Sequence, residues 1–562
     1  MPATTPPSTS DPVKQLAASV GEAATAVRNG AAGAGASSRT GGVPAQLKLE
    51  RPKHAGLGDY STNAAMLLAP ALKMAPRVIA ERIAAELQER LGDDLDRTEV
   101  AGPGFLNLFL TDDWHRRTLA KIAAAGQRFG AGEARAPERV LIEFVSSNPT
   151  GPLVAAAGRH GAYGDALARI LEHHGHTVAR EYYFNDAGNQ IRLLGASVKA
   201  RARGEAVPDG GYQGDYVRDL ADQIPGAAER DVDELAHAAV ELLLGQIKGT
   251  LQRYGVRFDR FFSERTLHEG QPSALQRALQ RLEDAGHIYR SEGAVWLRTT
   301  TFGDDKDRVV LRSTGEPTYL AADIAYLQDK RDRGFERQLM PVGSDHHAYV
   351  RELKAAMAAL GGDPDTVEVP LLQFVHLVSG GEKAAMSKRR AEFVTLDALL
   401  DDIGVDATRF FMLQRSHDRT LELDLDLARR QSRENPVYYV QYAHARIASM
   451  LGRLHAERVH AALAGPEAWG TGDLHPSERA LIKQLAVLPE EIAEAAGRRA
   501  PHRMAAYALA LAQEFTGFYE QCRVVGVTPA ELESFRIALS SATQGVIALA
   551  LGMLGVSAPR SM

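Results

Sequence analysis

Two short stretches carry the residue types best suited to chemistry. The first, "SSNPTGPLVAAAGRHGAYGD" (residues 146–165), follows the apolar run "RVLIEFV" (residues 139–145). A strand, a Gly151-Pro152 turn and a helix N-terminus offer free N–H groups and a positive dipole end, which suit an anion. Most strand-turn-helix units hold no phosphate, so this signal is weak by itself. The second, "SGGEKAAMSKRRAEF" (residues 379–393), joins glycines and Ser387 to the cations Lys383, Lys388, Arg389 and Arg390. A cationic loop after a central strand suits a polyphosphate leaving group. An exposed basic loop is the plainer reading of the same residues.

Both stretches need elements to hold them. The first helix runs over about residues 152–174 and is capped by Gly175. "TVAREYYF" reads as the next strand, and "NDAGNQIRLLGASVKARA" as a helix after it. Strand, helix and strand in succession argue for a doubly wound parallel sheet, whose ligands bind beyond the carboxyl ends of the strands. "RVLIEFV" shows no alternation, as a strand buried on both faces should not. A Gly/Asp-rich break then opens a mostly helical insertion over about residues 204–298. The pattern resumes with strand "RQLMPVGSD", helix "HAYVRELKAAMAAL" and strand "VEVPLLQFVHLV". The fold class is multidomain α/β, with this sheet domain spanning residues 133–427. Residues 11–132 read as an α+β unit: a helix from Asp11-Pro12, helices broken at Pro70 and Pro76, and two strands around Gly102-Pro103-Gly104. Residues 1–10 read as a disordered tail, and residues 428–562 as an all-α bundle.

Composition narrows the class. A chain of 562 residues suits three or four domains of ~150 residues each. Its 45% hydrophobic and 24% charged residues are ordinary for a globular protein. No apolar run reads as long enough to span a membrane, and "MPATTPPSTSDPVKQ" lacks the apolar core of a signal peptide. Cys522 stands alone, which excludes a disulfide framework and a cysteine-based zinc site and fits a reducing cytoplasm. A net charge of -6 argues against a non-specific coat for nucleic acid. It leaves room for local basic faces such as "RRQSR" and "GRRAPHR", which read as well as solvated helix surfaces. "EHHGH" (residues 172–176) has the composition of a metal tract. A helix C-terminus is the stronger reading, since histidines favour that dipole end. The adjacent His346 and His347 diverge, so no metal site is assigned.

Taken together, the two loops resemble the signature loops of class I aminoacyl-tRNA synthetases. Further blocks resemble one member family, the arginyl-tRNA synthetases: "ERPKHAGLGDYSTNAA", "VAGPGFLNLFL", "EFVSSNPTGPL", "EYYFNDAGNQI", "FGDDKDRVVLRSTGEPTYLAADIAY", "GGEKAAMSKRRAEFVTLDALL" and "NPVYYVQYAHARI". They run in family order along nearly the whole chain. The resemblance implies a Rossmann-like catalytic domain that joins L-arginine to the α-phosphate of ATP and releases pyrophosphate. Arginine then passes to the 3'-terminal ribose of tRNA(Arg), with the 2'-hydroxyl the usual class I acceptor. It also implies Mg²⁺ with the ATP, no tightly bound cofactor, no membrane partner and an activation step that needs bound tRNA. A cytoplasmic monomer is expected.

The same resemblance implies residue roles. Glu143, Ser146, Asn148, Tyr319 and Asp323 match arginine-binding positions. The chemistry agrees, because a guanidinium takes planar carboxylate partners. Glu143 ends the first strand, and Tyr319 and Asp323 lie at i and i+4 on one helix face. That pair alone would equally suit an ordinary exposed face. Gly151, Ala156, Ala157, Gly343, Asp345, His346, Met386 and Lys388 match the ATP site, with Ser387 and Lys388 as catalytic groups. Tyr438, Tyr442 and Arg446 match the anticodon-gripping helix, where stacking suits unpaired bases; core packing accounts as well for either tyrosine. Asp59, Tyr60 and Asn63 of "GDYSTN" match a unit that contacts the outer corner of the tRNA.

One block departs from the family. A His-x-Gly-His tetrad is usual after "GPL", and here the four places hold Val154, Ala155, Ala156 and Ala157. The first Lys of the second signature is replaced by Ala385. Losing one transition-state donor costs about 10²–10³ in rate, against enzymatic accelerations of about 10⁶–10¹⁷. The sequence therefore predicts impairment or replacement. His160, three residues past Ala157 on roughly the same face, is the candidate catalytic replacement, because helical side chains lean toward the N-terminus. A surface histidine is the plainer reading. Arg159, Lys383, Lys388 and His346 are further donors. The competing function is an impaired synthetase-like protein that binds tRNA or arginine.

Overall fold

The structure is a computed structural model that describes residues 11–32, 47, 49–52, 56–383 and 394–562. The expected tail over residues 1–10 lies outside the described residues, as do Met386, Ser387 and Lys388.

Asp11 starts the first helix as expected: its Oδ1 accepts the Val13 and Lys14 amides at 2.9 and 3.3 Å. Pro12, with no N–H to lose, opens α1 (Pro12–Ala32). The unit continues through β1 (Leu49–Glu50), β2 (Tyr60–Thr62), α2 (Ala64–Leu72), α3 (Pro76–Leu91), β3 (Leu95–Ala101) and β4 (Phe105–Leu110), and α4 (Asp112–Ala125) follows. Its strands form an antiparallel sheet in the order β1-β2-β4-β3. Leu16, Val20, Ile79, Ile83 and Leu108 fill the core beneath it. Gly104 lets the β3–β4 hairpin close on α3, because a Cβ there would stand 2.6 Å from that of Pro76. Pro70 does not break a helix. It sits in the last turn of α2, where it forfeits a single backbone bond.

The next unit holds β5 (Arg139–Glu143), α5 (Ala155–His174), β6 (Thr177–Phe184), α6 (Asn189–Ala202), α7 (Asp215–Gln223), α8 (Val232–Arg253) and β7 (Arg260–Ser263). It continues with α9 (Arg265–His268), α10 (Ala274–Asp284), β8 (Ile288–Ser291), β9 (Ala294–Leu297), β10 (Arg308–Leu311), α11 (Tyr319–Asp332) and β11 (Arg337–Leu339). Then come β12 (Val342–Gly343), α12 (Tyr349–Ala359), β13 (Val367–Glu368), β14 (Leu371–Leu372), β15 (Val375–Ser379) and β16 (Glu382–Lys383). The unit closes with α13 (Leu396–Leu413), β17 (Leu421–Asp424) and α14 (Leu425–Arg429). The central sheet runs β13-β11-β5-β6-β7 with every pair parallel. Val140, Leu141 and Ile142 of β5 are wholly buried, as the unalternating run requires. The order of strand addition reverses between β5 and β11, β6 and β7 following on one side and β11 and β13 on the other, which opens a crevice beyond their carboxyl ends.

The stretch read as one helical insertion contributes β7 to this sheet. Helices α6 to α8 are instead the crossover from β6 to β7, and β8, β9 and β10 form a separate antiparallel sheet. A four-residue strand between helices leaves too little periodicity to be seen in sequence. The long strands expected over "RQLMPVGSD" and "VEVPLLQFVHLV" are each broken at a proline, Pro341 and Pro370, which cannot donate to a ladder.

The rest is a helical bundle: α15 (Pro436–Gly452), α16 (Ala456–Ala462), α17 (Pro476–Ala486), α18 (Leu488–Gly497), α19 (His502–Gln521) and α20 (Ala530–Leu554). Contrary to the sequence expectation, α20 is long and apolar enough to cross a membrane by length and composition. Its apolar surface is used inside the fold, where it packs against α15, α16 and α19. Buried Arg409 of α13 fastens the bundle to the sheet domain. It donates to the carbonyls of Leu554 and Tyr254 at 2.8 and 3.1 Å and to Asp165 at 2.5 Å.

Candidate active site

The chain leaves β5 through a strained turn. Val145 and Ser146 have φ of +66° and +43°, a left-handed conformation that a β-branched residue rarely adopts. The turn swings Ser146 back, so that its Oγ donates to Glu143 Oε1 at 3.3 Å and accepts the Tyr183 amide at 3.1 Å. Asn148 follows; its Oδ1 accepts the Asn185 amide at 3.2 Å. The hydroxyls of Tyr182 and Tyr216 donate to the Ser147 and Thr150 carbonyls at 2.7 and 2.8 Å. Gly151 lies against Tyr216, where a Cβ would come within 3.2 Å of its hydroxyl. The loop from residue 146 to 151 is thus held by β6 and α7.

Glu143 of β5 and Asp323 of α11 lie close enough for the charge of the first to act on the second. Tyr319 is the first residue of α11 and is 72% exposed. Sequence reasoning missed four neighbours. The Tyr349 hydroxyl bonds to Asp323, and that of Tyr183 to Glu264. Lys330 is fully buried and donates from Nζ to Glu143 Oε2 at 2.7 Å. A signal for Lys330 existed, since Tyr319, Asp323, Tyr326 and Lys330 fall at i, i+4, i+7 and i+11, one stripe of a helix. Burial pushes the Asp323 carboxyl up to about 7; Tyr349's hydrogen bond and the Lys330 charge oppose the rise, and the charges of Glu143 and Glu264 add to it.

The start of α5 differs from the expected anion cradle. Ala155 N–H donates to Val394 O at 2.8 Å, and Ala157 N–H to Val154 O at 2.8 Å. These amides are spent, so the helix terminus has fewer free donors than the sequence suggests. Leu396 N–H donates to Leu153 O at 2.8 Å, and Val154 bridges Thr395. The chain following the second signature is therefore tied to the first. On its other flank β15 pairs with β16, and Asp426 accepts from Gly380 N–H and Ser379 Oγ at 2.6 and 3.1 Å.

His160 faces β11, where it bonds to the Pro341 backbone. Burial drives its pKa down to about 4, helped by the neighbouring Arg159 charge. A neutral imidazole has one N–H; with that on a carbonyl, its other nitrogen can only accept. It is a poor substitute for a phosphate donor. Arg159 is no free donor either: it is 2% exposed and donates to the carbonyls of Gln373, Ser416 and Arg419 at 2.7, 2.9 and 2.9 Å. Asp345 and His346 are exposed beyond β12, 3.6 Å apart. Gly343 precedes them, and a Cβ there would come within 2.5 Å of Asp345 Oδ1, the tip of an exposed side chain that can turn away. Ala156 is half-buried and Ala157 buried at the helix start.

Tyr438 and Tyr442 stack on α15 with ring centroids 6.2 Å apart, and the Arg446 guanidinium lies 5.9 Å from the Tyr442 ring and 4.3 Å from that of Tyr519. Tyr442 is partly exposed, as a base-stacking surface requires. The N-terminal candidates fare differently. Tyr60 is 1% exposed and packs edge-on against Trp114, so it cannot reach a partner. Asp59 accepts the Leu110 amide at 2.8 Å and pairs with Lys483 at 2.9 Å, a tie to the bundle. Asn63 occupies the N-cap position of α2. In "EHHGH", His173 bonds to the Phe129 carbonyl at 3.0 Å and His176 accepts the Glu138 amide at 3.2 Å, which is end-of-helix packing.

Comparison with known proteins bears on the whole chain. Residues 16–110 match the arginyl tRNA synthetase N terminal domain. Residues 228–432 match the catalytic domain of class I (R) tRNA synthetases, and residues 440–562 the DALR anticodon binding domain. The chain is 45% identical to an arginine–tRNA ligase of Frankia alni over 536 residues, 92% of this chain and 95% of that one. It is 44% identical to one of Desulfosudis oleivorans over 535 residues, with 92% and 95% covered. In fold it is similar to the Thermus thermophilus arginyl-tRNA synthetase, at a TM-score of 0.75 and 24% identity, covering 98% of this chain and 100% of that one. The Plasmodium falciparum arginyl-tRNA synthetase has a TM-score of 0.74 at 15% identity, with 97% and 99% covered.

Proposed function

This chain belongs to the arginyl-tRNA synthetases, class I ligases that activate arginine and charge tRNA with it, and we propose that it does so in the crevice between β5 and β11. The observation that carries this is the convergence of Glu143, Asp323 and the 146–151 loop at one switch point, beside the tied flanks of both signatures. The guanidinium meets Asp323 and Glu143, Tyr319 covers the mouth, and Ser146 and Asn148 take the α-amino and carboxylate end. ATP lies over Gly151, Ala156 and Ala157, with its adenosine toward Gly343, Asp345 and His346. A carboxylate oxygen of arginine attacks the α-phosphorus, and the bond to the bridging oxygen breaks. Pyrophosphate leaves, and Ser387 and Lys388, with Met386 beside them in sequence, are assigned to it on the family resemblance alone. The terminal ribose hydroxyl then attacks the arginyl carbonyl and AMP departs. Mg²⁺ would come with the ATP and would offset the charge of its phosphates; no cluster of three side chains placed to hold a metal ion occurs among the described residues.

We assign residues 11–132 and 428–562 to tRNA(Arg), the latter through Tyr438, Tyr442 and Arg446, with a cytoplasmic monomer as the working form. The altered tetrad leaves Lys388 and its neighbouring cations to carry the transition-state charge. His160 becomes a positioning group for Pro341 and the adenosine loop. Activation is consequently slow, by about 10²–10³ for each missing donor. The experiment is transfer of labelled arginine to tRNA(Arg) by the intact chain and by Asp323→Ala. Charging by the former, reduced at least about 10²-fold in the variant through lost charge-assisted bonds, supports the reading. Equal charging by both overturns the assignment of the pocket.

A further inference from the structure

Lys330 is a buried cation that the reaction as described does not use. Its Nζ donates to Glu143 Oε2 at 2.7 Å and meets Met340 Sδ at 3.1 Å. The Tyr326 ring centroid lies 3.8 Å away. Three directions around the ammonium are therefore filled, by the ends of β5 and β11 and by α11 itself. Tyr326 is fixed in turn, since its hydroxyl donates to Glu181 Oε1 at 2.6 Å. Lys330 thus bridges the switch point from below.

This fixes how charge is shared in the crevice. Three carboxyl groups face it: Glu143 from β5, Glu264 from the turn after β7, and Asp323 from α11. Glu143 already has Lys330. Glu264 takes the Tyr183 hydroxyl and lies 3.8 Å from His268 Nε2. Asp323 makes no ion pair among the described residues; the neutral Tyr349 hydroxyl is its hydrogen-bond partner, and the Lys330 charge acts on it only at longer range. An enclosed carboxyl with no ion-pair partner, beside two others, is pushed toward its neutral form until a cation arrives.

Resting on the arginine-pocket reading, we propose that Lys330 is a positioning residue that neutralises Glu143 in advance. Asp323 is then the carboxylate that answers the incoming guanidinium, and arginine binding expels a proton from it. The balance is simple: the neutral Asp323 carboxyl and the arginine cation give a carboxylate–guanidinium pair and one proton in solvent. Glu143 keeps a fixed orientation, with Oε2 on Lys330 and Oε1 on Ser146. It serves as an acceptor of set geometry rather than as a second free charge.

The test is calorimetric titration of the full chain with L-arginine, in buffers of different ionisation heat, from pH 6 to pH 8. With the empty-site carboxyl at about 7, linkage gives about 0.5 proton released per arginine at pH 7 and about 0.9 at pH 6. Affinity should be about tenfold weaker at pH 6 than at pH 8. Asp323→Asn should abolish the release and weaken binding at least tenfold, whereas Glu143→Gln should weaken binding and keep the release. Lys330→Met should raise the release at pH 7 to 8 above the wild-type value, because the Lys330 charge that opposes the rise of the Asp323 carboxyl is then gone. A buried residue that only supported the fold would not change the proton count. Arginine binding with no proton release, or release that persists in Asp323→Asn, would overturn the proposal and leave the pocket assignment standing. No arginine binding at any pH would overturn both.

Discussion

At the scale of single residues, the same letters split into site and scaffold according to burial. Glu143 and Asp323 were singled out by the family resemblance, with which a guanidinium's demand for carboxylates agrees; without it Asp323 read as part of an ordinary exposed helix face. Tyr60 and Arg159 were misread because residue type says nothing about whether a side chain faces solvent or the core. His160 sits between these cases: its place on α5 was legible, but its bond to Pro341 was not. Its lowered pKa makes a signed prediction. The unfolded histidine titrates near 6.5 and the folded one near 4. The unfolded state therefore binds the extra proton between those values, and stability present above 6.5 is lost as pH falls toward 4. Thermal unfolding between pH 7 and pH 4 should show a shallower acid-side fall in His160→Ala than in the wild type. The variant should retain arginine charging within about tenfold, less than the loss of a transition-state donor. A loss of about 10³ would restore His160 as a phosphate donor.

At the scale of elements, helix α5 and strand β5 do most of the positioning. Gly164 permits their contact, because a Cβ there would fall 2.2 Å from Phe144 Cγ. Gly164→Ala should push α5 off the sheet and cost about 3 kcal/mol, the upper range for overpacking. Urea unfolding measures this, and a change below about 1 kcal/mol would show that the helix relaxes freely. The element pattern was largely readable where apolar runs were long, as in β5, β6 and α5. It failed where prolines cut strands at Pro341 and Pro370, and where β7 is only four residues long. The pairing of residues 153–155 with 394–396 had no signal in sequence. It is a contact between distant backbones, and backbones carry no side-chain pattern. The strained turn at Val145 and Ser146 was equally invisible, since valine is the residue one would least place there.

At the scale of the molecule, the three-part plan was visible from length, element pattern and family resemblance, but the ties between parts were not. Arg409, Asp165 and the Leu554 carbonyl form one buried joint between α13, α5 and α20. Asp59 and Lys483 form another between the N-terminal unit and the bundle. Helix α20 shows why apolar length misleads: the end of a large bundle needs the same composition as a membrane span, and only packing separates them. The central claim concerns the whole chain, because arginine, ATP and tRNA must meet in it despite the altered tetrad. The most direct measurement is arginine-dependent ATP–pyrophosphate exchange by the intact chain, with and without tRNA(Arg), beside a variant carrying Val154→His and Ala157→His. Slow exchange that needs tRNA, raised at least about 10²-fold by the two histidines, is the predicted result. No exchange by the intact chain, with or without the histidines, while it still binds tRNA, would contradict the account.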